Sequence, residues 1–233
     1  MRPEEDFWTP EPIFDGKRVF VLASGPSLTP EVCEVVRGEP AIVVNSSCRA
    51  AAWADVLFFT DSGWFEHIDN GRNLAVFADG VPRRRVVEEW PGLVVSMSRR
   101  AKLALPAKVK RVKGEMRPDF PRRGAPVIRQ GRSSGQTAIA LAIAMGAREV
   151  ILLGFDMRLV DGREHHHDDY RGKPRDLTVY GSAFVPAFGA NPNMPGWNQA
   201  ALDAGVTVLN ATPGSALMEF PMVELALVLA KAA

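Results

Sequence analysis

The sequence has only two cysteines, Cys33 and Cys48, and it contains no long apolar run. Both cysteines lie in segments with a helical pattern, so neither a disulfide framework nor a thiolate metal site is expected. A membrane-spanning helix needs about 20 apolar residues in a row, and no stretch approaches that length. Residues 1–12 are acidic and lack the basic start and apolar stretch of a secretory signal. We therefore expect a cytoplasmic protein without a membrane span.

The composition is that of a globular protein, but its charge is unevenly distributed. Of the 233 residues, 46% are hydrophobic and 24% are charged, which fits one large domain. Residues 83–132 contain 15 Lys and Arg against 4 Asp and Glu, although the whole chain has a net charge of only +1. Such a block forms either a solvated face or a surface that attracts anions. Only two aromatic residues, Trp90 and Phe120, lie in it, so stacking on nucleic-acid bases has little support.

Short apolar segments alternate with helical segments along the chain. The pattern predicts strands over 18–24, 41–45, 54–60, 149–155 and 206–209, and helices over 30–37, 134–145, 197–204 and 220–232. This alternation is typical of parallel strands joined by crossover helices. We predict an α/β fold with a Rossmann-like, mostly parallel sheet flanked by helices.

The domain organisation follows from the same pattern. Residues 1–16 are predicted to be an N-terminal extension, and residues 17–233 a single domain. Between 75 and 128 the pattern weakens to short apolar pieces among Pro, Arg and Lys. Residues 158–196 are polar and rich in glycine and proline, which predicts a lid loop over an active site.

Polar or flexible residues follow each predicted strand. They are Gly25, Pro26 and Ser27 after the first strand, then Asn45 and Ser46, Asp61, Asp156 and, after the last strand, Asn210. Ligands of an open parallel sheet bind at the carboxyl ends of its strands, so we expect these residues to converge on one site. Gly25 would let a ligand approach the backbone, and the Ser27 hydroxyl would donate to it. This turn matches neither the P-loop nor the three-glycine dinucleotide pattern.

A second candidate phosphate site lies at the start of the helix over 134–145. Arg132 and the sequence Ser133, Ser134, Gly135 and Gln136 stand at this helix start. Serines cap free N–H groups there, and those N–H groups together with the helix dipole attract phosphate. Arg132 adds a fixed cation. The alternative interpretation is plain helix capping.

Three of the four histidines are consecutive, in the predicted lid loop at 165–167. Alternate residues of an extended loop share a side, so His165 and His167 are predicted to point into the site together. A histidine acting as general acid or base fits group transfer, and Asp156 is grouped with this pair as a candidate catalytic residue. The competing use of the carboxylates is a divalent ion, with Mg²⁺ held by Asp61, Asp156 and Asp168. A merely solvated polar loop is the third interpretation.

Several short motifs occur in a fixed order between Val19 and Pro221. They are Gly25-Pro26-Ser27-Leu28, Val44-Asn45-Ser46, Thr60-Asp61, Arg132-x-Ser134-Gly135, Leu153-Gly154-Phe155-Asp156, a histidine loop from His165 to Asp169, and a late segment from Asn210 to Leu217. In this order they resemble the 6-hydroxymethylpterin diphosphokinase-like family, especially its compact phage-encoded branch. They also resemble the related bacterial CMP-sialic-acid-dependent sialyltransferases.

The two relatives imply different chemistry. The sialyltransferase resemblance implies a sugar nucleotide held by the Gly25 turn, Asn45 and the helix start at Ser134, with histidine assistance and no required metal. The diphosphokinase resemblance implies ATP, Mg²⁺ near Asp61 and pyrophosphoryl transfer to a hydroxymethyl group.

The sequence is therefore compatible with three functions. The leading hypothesis is a nucleotide-dependent transferase, with glycosyl transfer from a sugar nucleotide favoured over pyrophosphoryl transfer because of the histidine loop. The rival is a nucleotide-binding phage or structural protein without catalysis. The acceptor is left open, with nucleic acid as one alternative, and the sequence is compatible with a monomer or an oligomer.

Overall fold

A computed structural model describes residues 7–69, 72–73, 75–97, 105–121, 124–169 and 184–230. Eleven strands lie in these ranges: β1 Arg18–Leu22, β2 Ala41–Val44, β3 Val56–Phe59, β4 Ile68–Asp69, β5 Arg72–Asn73, β6 Leu93–Ser96, β7 Val109–Arg111, β8 Lys113–Glu115, β9 Val127–Arg129, β10 Glu149–Leu153 and β11 Thr207–Asn210. The helices are α1 Pro30–Val35, α2 Ser62–Phe65, α3 Arg83–Glu89, α4 Ser134–Ala144, α5 Trp197–Asp203 and α6 Leu225–Ala230, and a 3₁₀ turn spans Asn45–Arg49.

Seven strands form one sheet, in the order β11-β10-β1-β2-β3-β6-β7. Every neighbouring pair in it is parallel. Two separate pairs, β4 with β5 and β8 with β9, complete the described strands. The predicted α/β fold, a Rossmann-like parallel sheet flanked by helices in a single domain, is confirmed.

The strand order locates the position where a ligand is expected. From β1 the chain builds the sheet outward through β2, β3, β6 and β7, and it then returns to add β10 and β11 on the other side of β1. The order therefore reverses between β1 and β10. In open α/β sheets, the crevice at the carboxyl ends of the two strands flanking such a switch point is the usual binding site.

Both faces of the sheet are buried, because alternate residues of a strand point to opposite sides. In β1, Val19 and Val21 belong to one hydrophobic cluster, while Phe20 and Leu22 belong to another. Helix α4 packs in the first cluster, and α1 contributes Cys33 to the second. The alanines of α4 are almost completely buried, which lets this helix lie close to the sheet.

Some element boundaries differ from the sequence prediction. The closing helix begins at Leu225 rather than at residue 220, because the backbone of residues 221–223 pairs with the end of β11 instead. The Asn210 N–H donates to the Pro221 carbonyl, and the Val223 N–H donates to the Asn210 carbonyl. The weak region between 75 and 128 contains helix α3, which the sequence pattern did not predict.

The two segments predicted to lie outside the core contribute to it. In the N-terminal segment Phe14 is buried, and the Trp8 N–H donates to the Arg111 carbonyl at 2.7 Å. Of the predicted lid, the structure describes residues 158–169 and 184–196. Phe188 in the second part is buried against the rings of Trp197 and Phe220. Within the described ranges, no helix has the length and apolarity needed to cross a membrane.

Candidate functional site

A cleft of about 720 Å³ opens at the carboxyl ends of β1, β2, β3 and β10. Its wall includes Ser24, Asn45, Thr60 and Asp156, which follow these four strands. The cleft therefore occupies the crevice beside the switch point. Its volume lies within the range of roughly 300–1,000 Å³ that is typical of small-molecule pockets.

The cleft brings together many of the residues that the sequence singles out. Among the predicted nucleotide-binding residues, those in its wall are Gly25, Asn45, Asp61, Arg132, Ser133, Ser134 and Gly135. The candidate catalytic and metal-binding residues in its wall are Asp156, His165, His167 and Asp168. The remaining predicted residues do not line it, and these are Pro26, Ser27, Ser46, Gln136 and Asn210.

Helix α4 presents free backbone donors to the cleft. Ser133 caps the helix, since its hydroxyl accepts the Gln136 N–H at 3.1 Å and its carbonyl accepts the Thr137 N–H at 3.1 Å. The backbone N–H groups of Ser134 and Gly135 have no acceptor among the described residues. These two donors, at the positive end of an eleven-residue helix, are the arrangement that binds phosphate.

Thr60 and Arg132 complete this wall. The Ser134 hydroxyl lies 2.6 Å from the Thr60 hydroxyl, which ties the start of α4 to the end of β3. Arg132 is exposed, and its guanidinium has no hydrogen-bond or ion-pair partner in the described part of the chain. The other two arginines of the cleft are engaged, because Arg158 Nε donates to the Gly214 carbonyl at 2.6 Å and Arg163 pairs with Asp168 at 3.1 Å. Arg132 is thus available to a ligand anion.

The turn after β1, by contrast, is occupied by a protein carboxylate. The Ser27 hydroxyl donates to Asp156 Oδ2 at 2.8 Å, and the Ser27 N–H points at the same carboxylate at 3.3 Å. The Gly25 N–H donates to the Gly154 carbonyl at 2.8 Å. A Cβ on residue 25 would collide with Asp156 Oδ2 and with the Gly154 carbonyl oxygen. Gly25 is therefore required by the approach of Asp156, and the expected role of Ser27 as a donor to the ligand is corrected.

Burial affects the carboxyl group of Asp156. Only 1% of this residue is exposed, and desolvation raises the pKa of its carboxyl above the ordinary value. The two hydrogen bonds from Ser27 act in the opposite direction because they favour the charged form. Asp156 is held in place by the turn after β1 and closes that side of the cleft.

Asn45 follows β2 in an unusual conformation. Its φ is +51°, in the left-handed region that asparagine tolerates better than most residues. Its Oδ1 is buried and has no hydrogen-bond partner among the described residues. The neighbouring Ser46 is fully buried and accepts a hydrogen bond from Trp64 Nε1 at 3.0 Å, so it supports the turn from beneath. Of the predicted pair, only Asn45 lines the cleft.

Gln136 and Asn210 have structural roles, and this corrects their expected place in the site. Gln136 Nε2 donates to the Ala187 carbonyl at 2.8 Å, and its Oε1 accepts the Arg132 N–H at 2.8 Å. Asn210 is fully buried, where its Nδ2 donates to the Leu217 carbonyl and its Oδ1 accepts the Thr212 N–H, both at 3.1 Å. Each amide thus satisfies backbone groups of the protein itself.

The histidine loop alternates as its sequence predicts. His165 and His167 both line the cleft, with their rings stacked 5.3 Å apart at an interplanar angle of 4°. His166 points the other way, and its Nε2 lies 3.1 Å from the Ser47 hydroxyl. The His166 N–H also donates to the Ser24 carbonyl at 3.1 Å. His166 thus attaches the loop to the ends of β1 and β2.

Burial keeps two of these histidines neutral. Desolvation, with the neighbouring His165 second, lowers the pKa of His166 to about 4. Desolvation and the other two histidines lower the pKa of His167 to about 2. His167 Nδ1 accepts the Asp169 N–H at 3.3 Å, as an unprotonated ring nitrogen does. The 3.4 Å approach of the Asp169 carboxylate to the same nitrogen is therefore not an ion pair at neutral pH.

The cleft has mixed charge. Its wall contains the carboxylates of Asp61, Asp156, Glu164 and Asp168 together with the arginines at positions 132, 158 and 163. Asp61 caps α2 by accepting the Gly63 N–H at 2.8 Å. In the described ranges, no group of three or more His, Cys, Asp or Glu is arranged to hold a metal ion. Because Mg²⁺ commonly uses one or two carboxylates plus ligand phosphates, the carboxylates present still suit a metal–nucleotide complex.

The hydroxyls of Ser24, Ser47 and Thr60 join the strand ends, and none of the three was predicted as a site residue. Ser47 Oγ contacts the Ala23 carbonyl at 2.9 Å, Ser24 Oγ at 3.2 Å and His166, and Thr60 contacts Ser134. The positions of Ser24 and Thr60 at strand ends were the available signal. Nothing local marks Ser47, since its partners are more than 20 residues away in the chain.

Comparison of the sequence with protein-family models and with curated proteins finds no match.

Proposed function

We propose that the protein is a nucleotide-dependent transferase that binds the phosphates of its donor at the start of α4. The observation that carries this proposal is the pair of free N–H groups at Ser134 and Gly135 beside the unpaired guanidinium of Arg132. Helix dipole, backbone donors and a planar cation together favour a phosphate over a neutral group. The cleft at the switch point provides room for the remainder of a nucleotide.

Glycosyl transfer is the favoured reaction. In this step an acceptor hydroxyl attacks the anomeric carbon, the bond to the donor phosphate breaks, and the hydroxyl proton passes to a base. His165 and His167 line the same cleft and are the candidate bases. His167 is neutral in the free protein, and the negative charge of a bound phosphate would raise the pKa of its imidazole toward the working range of a base.

Pyrophosphoryl transfer is the second candidate, and the four carboxylates in the cleft wall favour it. Asp61 and Asp168 are both exposed, so a Mg²⁺ ion bound to nucleotide phosphates could reach either one. The two reactions differ in metal dependence. Binding without metal supports the glycosyl donor, and binding only with Mg²⁺ supports ATP.

A panel of nucleotides tests both reactions through their effect on thermal stability. CMP, CDP, UDP, GDP, ADP and ATP are each measured with and without Mg²⁺, because a ligand that binds only the folded state raises Tm by mass action. A rise with a pyrimidine nucleotide in the absence of metal supports glycosyl transfer, and a rise with ATP and Mg²⁺ alone supports the kinase. If no nucleotide changes Tm, both candidates fail.

A matched pair of variants tests the assigned phosphate site. Ser134→Asp adds a negative charge at the first residue of α4, where an acidic side chain suits the helix dipole, so the fold should persist. Ser134→Asn adds similar volume without charge. We expect Ser134→Asp to weaken nucleotide binding at least about 30-fold and Ser134→Asn only a few-fold, since charge-assisted contacts contribute about 2 kcal/mol. Equal affinities in the two variants would place the phosphates elsewhere.

Donor turnover, measured as release of the free nucleotide, separates an enzyme from a binding protein. We expect His165→Ala to lower turnover while nucleotide binding is retained. A protein that binds nucleotide tightly but converts no sugar nucleotide and no ATP would be the non-catalytic alternative.

A further inference from the structure

A second, smaller cavity lies on the other side of Arg132. Its volume is about 200 Å³, and Arg129, Arg132 and Trp197 are part of its wall. Arg132 also lines the large cleft, so the two cavities share this side chain. Among the described residues that form the small cavity, two are arginines and none is acidic. The cavity is therefore cationic, unlike the large cleft with its four carboxylates.

Arg129, at the end of β9, is a buried cation that forms no ion pair with any residue the structure describes. Only 1% of it is exposed. It donates to the Pro118 carbonyl at 3.2 Å and to the Pro195 carbonyl at 3.0 Å, while its Nε is buried and has no hydrogen-bond partner in the described ranges. The guanidinium lies 4.6 Å from the ring centroid of Trp197 and 5.3 Å from that of Phe120.

Asp119 and Glu219 attract the charge of Arg129 through space, but both are engaged by other groups. Asp119 pairs with Arg117 at 2.8 Å, and Glu219 accepts the Asn198 N–H at 2.9 Å. No carboxylate in the described part of the chain forms an ion pair with Arg129. Among the described residues, its direct contacts are therefore two carbonyl oxygens and two aromatic faces.

The charge of Arg129 persists despite its burial. Desolvation lowers the pKa of its guanidinium to about 10, which still leaves it protonated at neutral pH. A buried charge without an ion-pair partner is unfavourable, and removal from water also strengthens its attraction for an anion. The exposed guanidinium of Arg132 can hydrogen-bond such an anion directly, while the charge of Arg129, in the wall of the same cavity, attracts it.

We propose that the small cavity binds a carboxylate or phosphate group of the acceptor substrate. Its volume equals roughly seven water molecules at about 30 Å³ each, which suits a small anionic group with a few attached atoms. The assignment to the acceptor rests on the proposed function: Arg132 contacts the donor phosphates from one side and the acceptor anion from the other. The binding of an anion in this cavity does not depend on any nucleotide.

The first test locates the anion directly. Crystals of the full chain are soaked in selenate, a phosphate analogue whose selenium gives an anomalous signal. We expect a selenate in the small cavity, within hydrogen-bond distance of the Arg132 guanidinium and next to Arg129. Selenate bound only at the start of α4, or not at all, would overturn the proposal.

The second test measures anion binding in solution without nucleotide. The Ser134→Asp protein, in which the phosphate site of the large cleft is blocked, is titrated separately with inorganic phosphate and with acetate while Tm is followed. We expect at least one anion to raise Tm, and the responding anion identifies the group as phosphate or carboxylate. No response to either anion contradicts the proposal, even where nucleotide binding by the wild-type protein is established.

A cavity-filling variant provides the matched comparison. A Cβ on Gly189, which lines the small cavity, would meet only the Pro186 carbonyl oxygen at 3.6 Å, so Gly189→Leu can fill the space without a backbone clash. Ala190→Leu adds the same side chain at an exposed neighbouring position outside the cavity wall. In the Ser134→Asp background we expect Gly189→Leu to weaken anion binding by about tenfold or more, because steric exclusion removes the site, and Ala190→Leu to leave it unchanged. Equal affinities in the two variants would overturn the proposal, and this comparison does not depend on the folding of an Arg129 variant.

Discussion

The two walls of the cleft contain similar residues but present opposite chemistry to a ligand. The turn after β1 and the start of α4 both contain glycine and serine. In the turn, the N–H groups of Gly25 and Ser27 are used by the Gly154 carbonyl and the Asp156 carboxylate, and Pro26 has none. At the start of α4, the N–H groups of Ser134 and Gly135 remain available. A segment of glycine and serine can therefore bind phosphate only where its backbone N–H groups do not already donate to the protein itself.

The difference also orients the ligand. Asp156 places a carboxylate on the turn wall, whereas Arg132 places an unpaired cation on the wall formed by α4. Phosphate groups are attracted to the second wall and repelled by the first. We therefore expect the uncharged part of a nucleotide, the base or a sugar, to face Asp156 and Asn45.

The largest expected effect is a loss of stability on adding a side chain at Gly25, next to Asp156. Gly25→Ala forces a Cβ into Asp156 and into the Gly154 carbonyl, which should lower the free energy of unfolding by about 3 kcal/mol through overpacking. Chemical denaturation measures this. Gly189→Ala is the control, because its Cβ would make only an ordinary contact. Equal stability of the two variants would mean that Asp156 can move away from the turn at little cost. The donors of that turn would then not be firmly occupied by the protein.

The free energy of unfolding should fall in acid, because the buried His166 contacts the end of β1, beside the turn of residues 25–27. The pKa of His166 is about 4 in the folded protein, below the roughly 6.5 of an unfolded histidine. Between these values only the unfolded chain binds the proton, so the free energy of unfolding falls as the pH is lowered from 6.5 to 4. His166 alone contributes about 1.4 kcal/mol per pH unit to this slope, and His167, whose pKa is lowered to about 2, adds a similar contribution.

Denaturation at several pH values measures this slope. In His166→Gln the free energy of unfolding should decline less steeply over the same pH window, because the His166 imidazole no longer titrates. The control is His67→Gln, at an exposed position outside the cleft. If His166→Gln keeps the wild-type slope, the acid sensitivity arises at other groups.

On the opposite wall, Arg132 should contribute more to nucleotide binding than Arg158. Both line the cleft, but Arg158 already donates to the Gly214 carbonyl. We expect Arg132→Ala to weaken nucleotide binding by about tenfold, as loss of one charge-assisted contact does, and Arg158→Ala by about twofold or less. Calorimetric titration of both variants makes the comparison. If Arg158→Ala weakened nucleotide binding more than Arg132→Ala, the phosphates would lie nearer to Arg158 than we propose.

The smallest expected effect is a gain in nucleotide affinity. Asp156→Asn removes the negative charge of the turn wall, so a metal-free nucleotide should bind about threefold more tightly through weaker repulsion. Because the pKa of Asp156 is raised, the affinity advantage of this variant should shrink as the pH falls and the wild-type carboxyl becomes protonated. Titration at two pH values measures this. Weaker rather than tighter binding in the presence of Mg²⁺ would indicate that Asp156 holds the metal.

Much of the fold could be predicted from the sequence, because its signals are local. The alternation of apolar strands and helices predicted the parallel sheet, and Ser133 marked the start of α4. The closing helix was predicted too long, since an apolar pattern does not reveal that residues 221–223 pair with Asn210 at the end of β11. Helix α3 was missed because its charged start hides its periodicity.

The sequence by itself determined that polar residues follow the strands, that a serine-capped helix begins beside Arg132, and that His165 and His167 share a side. These follow from strand direction, capping and two-residue alternation, which act over a few residues. Only the tertiary structure decided that Asp156 occupies the turn 129 residues earlier in the chain, that Thr60 meets Ser134, and that Arg129 is buried without an ion pair to any described residue. Such contacts depend on the packing of distant segments, and packing decides which donors are still free for a ligand.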